Sequence, residues 1–390
     1  MTTQRPDEKV PYNGLPKATP TLPSSAYIDP DHYQRELRDV WFRNWLFVCR
    51  AADLSKPRDF LTYQIGDQSI LLLRDLEGGL QAFHNTCRHR GSRLCQEARG
   101  RLPGKTIICP YHSWTYDLDG KLARLPAIDL GEDFRKEDYP LYRVAVREWR
   151  GLVFIHLAGE DAPPLEAAMD PSAGVLDNWP LEDLAVGHHF RRMMNCNWKV
   201  FWENYNECYH CPRVHPGLSR IVPIYGRGIM EPNDDPDWEA KAGDPDPRYR
   251  GGLMEGAETW SETGRGTGIA FAGLSKAEKA AGHHFITMLP TLFLVGYLDH
   301  VRAIAIKPLS AEETEMEGYW LFPRQALDRA PEEVRRVAAF GEQVMAEDAA
   351  ACELNQKGLH ALEHKAGVLL PQEYEVKRFH DWVRGQVSAS

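Results

Sequence analysis

Two short segments constrain this 390-residue chain more than anything else in it: Cys87-Arg88-His89 and Cys109-Pro110-Tyr111-His112. Each supplies one thiol and one imidazole, at spacings C-x-H and C-x-x-H. Two cysteines and two histidines are the ligand set of a [2Fe–2S] cluster in which imidazoles replace the thiolates on one iron. The same atoms would also hold Zn²⁺ in a Cys₂His₂ site. Zinc fingers rarely space ligands as C-x-H and have no need of the apolar, aromatic frame of Ile107, Ile108, Tyr111 and Trp114, so the cluster is the favoured reading. Imidazole ligation raises the reduction potential above that of an all-cysteine cluster, so such a centre accepts electrons from a reduced donor and passes them on.

The length allows two domains with full cores, and the composition is that of an ordinary soluble protein. No apolar run approaches membrane-spanning length. Residues 1–25 are polar and proline-rich and lack the apolar stretch of an export signal. The eight cysteines are scattered and two already belong to the cluster segments, which points to a reducing cytoplasm and not to a disulfide framework. A formal net charge of -10 argues against nucleic acid, whose phosphates want a basic surface.

Residues 29–45 read as an amphipathic helix with Leu37, Val40 and Trp41 on one face and Pro30 near its start. From 46 to 157 the texture changes to short apolar runs (46–49, 69–73, 106–109, 152–157) punctuated by Gly, Pro and Asp, which predicts a small all-β domain with the cluster on two loops. A connector follows at 161–179. Residues 198–211 read as a helix stopped by Pro212, and 225–268 as a long aperiodic loop, either disordered or a lid over a pocket. Strands at 284–288, 291–297, 301–307 and 316–322 form an antiparallel meander, and 331–360 is a long helix.

The stretch from Glu203 to His215 is the second constellation. Glu207 and His210 are three residues apart, on one face if helical, and His215 follows the proline break. Two histidines and a carboxylate on one face of Fe(II) leave the opposite face open for O₂ and substrate. The candidate third ligand is Asp348, which falls on an apolar stripe of the late helix with Val337, Val344, Met345 and Cys352, where an unpaired carboxylate is costly. Glu347 is rotated about 100° away and reads as solvated; Glu353 is the fallback ligand. Glu207 and Asn204 are the candidate catalytic side chains. Cys208 and Cys211 bracket His210 and read as packing residues, since no second cysteine pair follows. The adjacent pairs His188-His189 and His283-His284 point to opposite faces of a strand and read as structural.

The two constellations in this order resemble the catalytic α subunit of Rieske non-haem iron oxygenases. That resemblance implies an α+β fold: a Rieske [2Fe–2S] β-sandwich (46–160) inserted into a helix-grip catalytic domain (1–45 and 161–390), an antiparallel sheet covered by helices. It assigns Cys87, His89, Cys109 and His112 to the cluster and His210, His215 and Asp348 to a mononuclear Fe(II). Glu207 becomes a bridge, hydrogen-bonded to His210 and to His112 of the partner subunit in a head-to-tail homotrimer. Ser113 stands where glycine is common in the family. Glutamate at 207, within Glu-Cys-Tyr-His-Cys, is closest to the branch that oxidises carnitine, glycine betaine and related methylammonium compounds.

The resemblance implies a terminal oxygenase fed by a separate NAD(P)H-dependent flavin/iron–sulfur reductase, acting with O₂ on a small molecule in the cytoplasm, with no role for nucleic acid or membrane. N-demethylation or C–H oxidation of a quaternary ammonium or N-methyl compound is favoured. Phe285, Phe293, Tyr297 and Trp320 are candidates for the aromatic cage such a cation wants. The alternative within the class is hydroxylation of an aromatic acid, which wants an inward Arg or Lys. A Rieske electron carrier without catalysis is the alternative outside it, and leaves the second half of the chain unexplained.

Overall fold

The computed structural model describes residues 12–127, 129–169 and 173–388. The start of the polar N-terminal stretch, residues 1–11, lies outside them, as do 170–172 of the connector. The chain divides into two compact units, one running from Trp41 to Ala168 and the other combining the residues up to Val40 with those from Met169 onward.

The smaller unit is all β. Strands Leu80–His84, Gln68–Arg74, Asp59–Ile65 and Arg99–Arg101 form one antiparallel sheet in that order. Ala145–Trp149, Leu152–His156 and Leu46–Arg50 form a second. Thr106–Ile108, Thr115–Asp117 and Leu122–Arg124 form a third. The apolar runs became strands because β-branched and aromatic side chains pack on a pleated surface. Phe60, Leu71, Leu73, Phe83, Ile107 and Tyr116 meet in one core that also takes in Cys87 and Cys109.

The larger unit is built on a five-stranded antiparallel sheet in the order Ala185–Met194, Glu313–Phe322, Val301–Ser310, Leu292–Tyr297, His283–Met288. The first of these strands is not evident in the sequence. Its outer face carries His189 and Arg191, paired to Glu317, so it lacks an apolar signature. The helix Pro331–Leu359 buries Val337, Val344, Met345, Asp348, Ala349 and Cys352, the stripe expected from spacing. It lies close on the sheet at Gly341, where an added Cβ would sit 2.7 Å from the Trp320 ring.

Two helices are shorter than expected. The first spans Pro30–Glu36, capped by Asp29, whose side chain accepts from Asp31 N at 2.9 Å, and passes into a π-helical turn, Leu37–Trp41. The second, Trp198–Tyr205, stops six residues early at Asn206, so Glu207 and His210 sit on a turn and not on a helical face. The 225–268 stretch is a series of short helical turns that buries Tyr225, Ile229 and Trp260.

Candidate metal centres and the cavity beside them

Cys87 follows Leu80–His84, and Cys109 follows Thr106–Ile108. Gly91 N donates to Cys87 O, and Ser113 N to Cys109 O, both at 3.0 Å, closing two turns. Ser113 has a φ of +57°. That left-handed conformation costs a non-glycine residue about 1–2 kcal/mol, which accounts for the glycine expected there.

Both cysteines are buried and free. His89 and His112 lie nearer the surface with their Nδ1 atoms 3.2 Å apart, and His89 stacks on Trp114 at a centroid distance of 5.1 Å. Two thiols inside and two imidazoles at the rim suit a two-iron cluster. A single tetrahedral ion with bonds of about 2.0–2.3 Å would draw all four donors together. Among the described residues, only His210, His215 and Asp348 gather three ligand atoms within 4.8 Å. Tyr116 Oη lies 3.2 Å from Cys87 Sγ while accepting from Arg88 N at 3.1 Å, so its proton is free to point at the sulfur.

In that group of three, His215 Nε2 is 2.7 Å from Asp348 Oδ1, His210 Nε2 is 3.4 Å from the same oxygen, and the two Nε2 atoms are 3.2 Å apart. Ligands at right angles on bonds of about 2.1 Å would be about 3.0 Å apart, so the three fit one face of an octahedral ion. Each histidine is fixed from behind. His210 Nδ1 donates to Glu207 Oε1 at 2.6 Å, and His215 Nδ1 to Glu347 Oε2 at 2.7 Å, which leaves both Nε2 lone pairs facing inward. Burial alone would raise the Asp348 pKa; the hydrogen bonds and charges of His210 and His215 hold it down at about 2.

Three expectations change here. Glu347 is only partly solvated: its side chain reaches back across its rotation on the helix to hold His215. Glu353 is not part of the triad; it accepts from Asn195 N at 3.1 Å. Cys208 and Cys211 are not simple packing residues; they form a disulfide around His210, because the early helix end places them in one turn. Glu207 helps shape that turn, its second oxygen accepting from the backbone of Tyr209 and of His210.

The triad borders a cavity. Phe201, Tyr205, Tyr225, Trp260 and Phe285 supply aromatic wall, Arg302 contributes a guanidinium, and Asn204 and Glu207 are at its edge. Of the four proposed cage residues only Phe285 faces it. Phe293 lies behind Tyr205, stacked at 3.9 Å, Tyr297 stacks on His300 at 4.3 Å, and Trp320 packs under Gly341. Tyr205, Tyr225, Trp260 and Arg302 were not foreseen. Arg302 had a signal: a charge within the otherwise apolar run from Val301 to Ile306. A second cavity, lined by Tyr27, Glu203 and Glu373, shares Asn204, Glu207 and His210 with the first.

No helix among the described residues is long and apolar enough to cross a membrane. Residues 44–135 match the Rieske [2Fe–2S] domain, and 181–389 match the catalytic domain of the ring-hydroxylating α subunit. The glycine betaine monooxygenase oxygenase subunit of Chromohalobacter salexigens is 31% identical over 93% of this chain and 84% of its own length. The carnitine monooxygenase oxygenase subunit of Escherichia coli is 32% identical over 57% of this chain and 60% of its own. The fold matches the quaternary ammonium Rieske monooxygenase CntA, solved with L-carnitine, at a TM-score of 0.69 and 22% identity, covering 97% of this chain and 99% of that one. The fold also matches a quaternary ammonium Rieske monooxygenase whose structure reveals insights into carnitine oxidation and inter-subunit electron transfer, at a TM-score of 0.69 and 22% identity. This chain therefore belongs to the Rieske oxygenases as a catalytic α subunit, the terminal oxygenase component, with a Rieske [2Fe–2S] cluster and a mononuclear iron.

Proposed function

We propose that this protein oxidises the N-methyl group of a small quaternary ammonium or N-methyl compound with O₂, drawing electrons from a separate NAD(P)H-dependent reductase. The observation that carries this reading is the His210–His215–Asp348 triad set against an aromatic-walled cavity. Electron-rich ring faces attract a methylammonium cation and exclude water from it. When bound, the cluster supplies electrons and the mononuclear iron activates dioxygen. Cys87, Cys109, His89 and His112 would hold the first, and His210, His215 and Asp348 the second.

The chain's own side chains set the geometry. Glu207 and Glu347 fix the tautomers of the two histidines, and Asp348 balances charge between them. Glu207 also faces the second cavity, which in a head-to-tail trimer is where His112 of the partner subunit would reach it. Ile108 and Tyr111, beside His112, are 51% and 61% exposed, in keeping with a docked neighbour. The relatives named above are likewise oxygenases of methylammonium compounds. Six of the eight cysteines are free and buried, and the one disulfide, Cys208–Cys211, is local to a single turn and not part of a disulfide framework, which is compatible with a reducing cytoplasm.

Overall, one N-methyl C–H bond becomes C–OH while O₂, two electrons and two protons yield that hydroxyl and one water. The hemiaminal then breaks its C–N bond, releasing formaldehyde, a proton and the demethylated amine. Substrate-dependent NAD(P)H and O₂ consumption with a surrogate reductase, matched by formaldehyde, tests this across N-methylamines, betaines and aromatic acids. Consumption confined to aromatic acids, without formaldehyde, would refute it.

A further inference from the structure

Arg302 is 3% exposed, yet Nε and Nη1 of its guanidinium have no hydrogen-bond partner. Among the described residues no carboxylate forms an ion pair with it. The two that border the cavity with it, Glu207 and Asp348, are held by His210 and His215. Ring faces surround it: Trp260 at 5.4 Å, and Phe293 and Tyr297 at 5.9 Å. Trp260 is 5% exposed, borders the same cavity, and its indole Nε1–H also lacks a partner. The cavity thus has metal-ligating side chains in one part of its wall and unsatisfied donors, one of them cationic, in another.

A buried, unpaired guanidinium is unfavourable unless an anion completes it, and its planar fork matches a carboxylate through two parallel hydrogen bonds. The same positive charge repels a substrate that is only a cation. We propose that Arg302, assisted by the Trp260 indole N–H, binds the carboxylate of the substrate and so directs this oxygenase to methylammonium carboxylates over carboxylate-free amines. The inference rests on the N-methyl oxidation reading and narrows it: one end of a zwitterion is anchored at Arg302, and its methyl groups lie among the rings of Tyr205, Tyr225 and Phe285. Arg302 acts on binding and specificity and takes no part in bond breaking.

The test pairs compounds alike except for the anionic group. Glycine betaine and carnitine are compared with choline, and benzoate is included as a carboxylate without ammonium. Binding to the holoenzyme is measured by anaerobic calorimetry, and kcat/KM from coupled turnover. The wild type should favour the betaines over choline by about 100-fold, the range expected when a site's charged donor is left without its acceptor. Arg302→Gln should raise Kd and KM for the betaines about 100-fold with a smaller change in kcat, improve choline binding a few-fold as the repelling charge is removed, and keep the visible cluster spectrum. Arg302→Lys should recover part of the loss. Trp260→Phe, which keeps a ring and removes the N–H, should weaken betaine binding a few-fold.

Equal wild-type use of choline and betaines would overturn the role of Arg302 while leaving N-methyl oxidation intact, and that comparison needs no variant. Unchanged betaine binding in Arg302→Gln would do the same. Oxidation of benzoate but of no methylammonium compound would instead overturn the N-methyl reading.

Discussion

Lys199 and Glu36 are both fully buried in the larger unit, and replacing the lysine by methionine gives a stability prediction whose size follows from their environment. Lys199 Nζ lies 2.7 Å from Glu36 Oε1, 2.9 Å from Oε2 and 2.7 Å from Asn197 Oδ1. Trp198 Nε1 donates to Glu36 Oε2 at 2.9 Å, and His32 Nε2 lies 3.1 Å from Oε1. Burial pulls the Glu36 pKa up, but the charge of Lys199 with the hydrogen bonds of His32 and Lys199 outweighs it and holds the carboxyl below its ordinary value. A depressed folded pKa contributes stability above the unfolded value, and that stability is lost as pH falls through the folded pKa.

Lys199→Met reverses the sign. The stranded carboxyl must fold protonated, against an unfolded pKa of about 4.3. The cost is then about 3.7 kcal/mol at pH 7, within the range known for breaking a buried pair, and about 1.6 kcal/mol at pH 5.5. For a unit of this size, the pH 7 value lowers Tm by roughly 7–15 °C. Differential scanning calorimetry at several pH values reads this directly. Glu36→Gln combined with Lys199→Met should remove most of the pH dependence of the deficit, since neither member of the buried pair titrates any longer and Trp198 keeps an acceptor; His32 is the titratable side chain left beside the site. A deficit below about 1 kcal/mol at pH 7, or one that fails to shrink toward pH 5.5, would refute the reasoning.

Other perturbations address the proposed centres. His210→Ala should abolish turnover and lower iron to about two per chain while the cluster spectrum persists; loss of that spectrum would contradict the separation of the two centres. Glu207→Gln should retain both metals but slow single-turnover oxidation of the pre-reduced cluster, and wild-type kinetics would remove its bridging role. Tyr116→Phe removes a donor to Cys87 Sγ and should lower the cluster potential, on the order of 50 mV by redox titration, with no change expected in iron content.

What the sequence revealed was what is local or periodic. The cluster ligands stand in two segments of three and four residues, so their chemistry needed no fold to be seen. Asp348 was visible as an acid on a 3.6-residue apolar stripe. The end of the helix at Tyr205 was not, because Asn206 and the backbone hydrogen bonds of Glu207 compete with helix propensity only once the turn is formed. Glu347 escaped because rotation on a helix says where a side chain starts, not how far a long one reaches. Tyr225 and Trp260 lie in an aperiodic stretch, where no spacing rule tells which ring turns inward.

That stretch has an evolutionary consequence. Asp348 is carried by a helix locked against a sheet, whereas Tyr225 and Trp260 hang from irregular backbone. Irregular connections absorb insertions and substitutions that a packed helix will not. Descendants of this chain are therefore free to re-tailor which molecule is admitted by editing 225–268, while the oxidising machinery is inherited untouched.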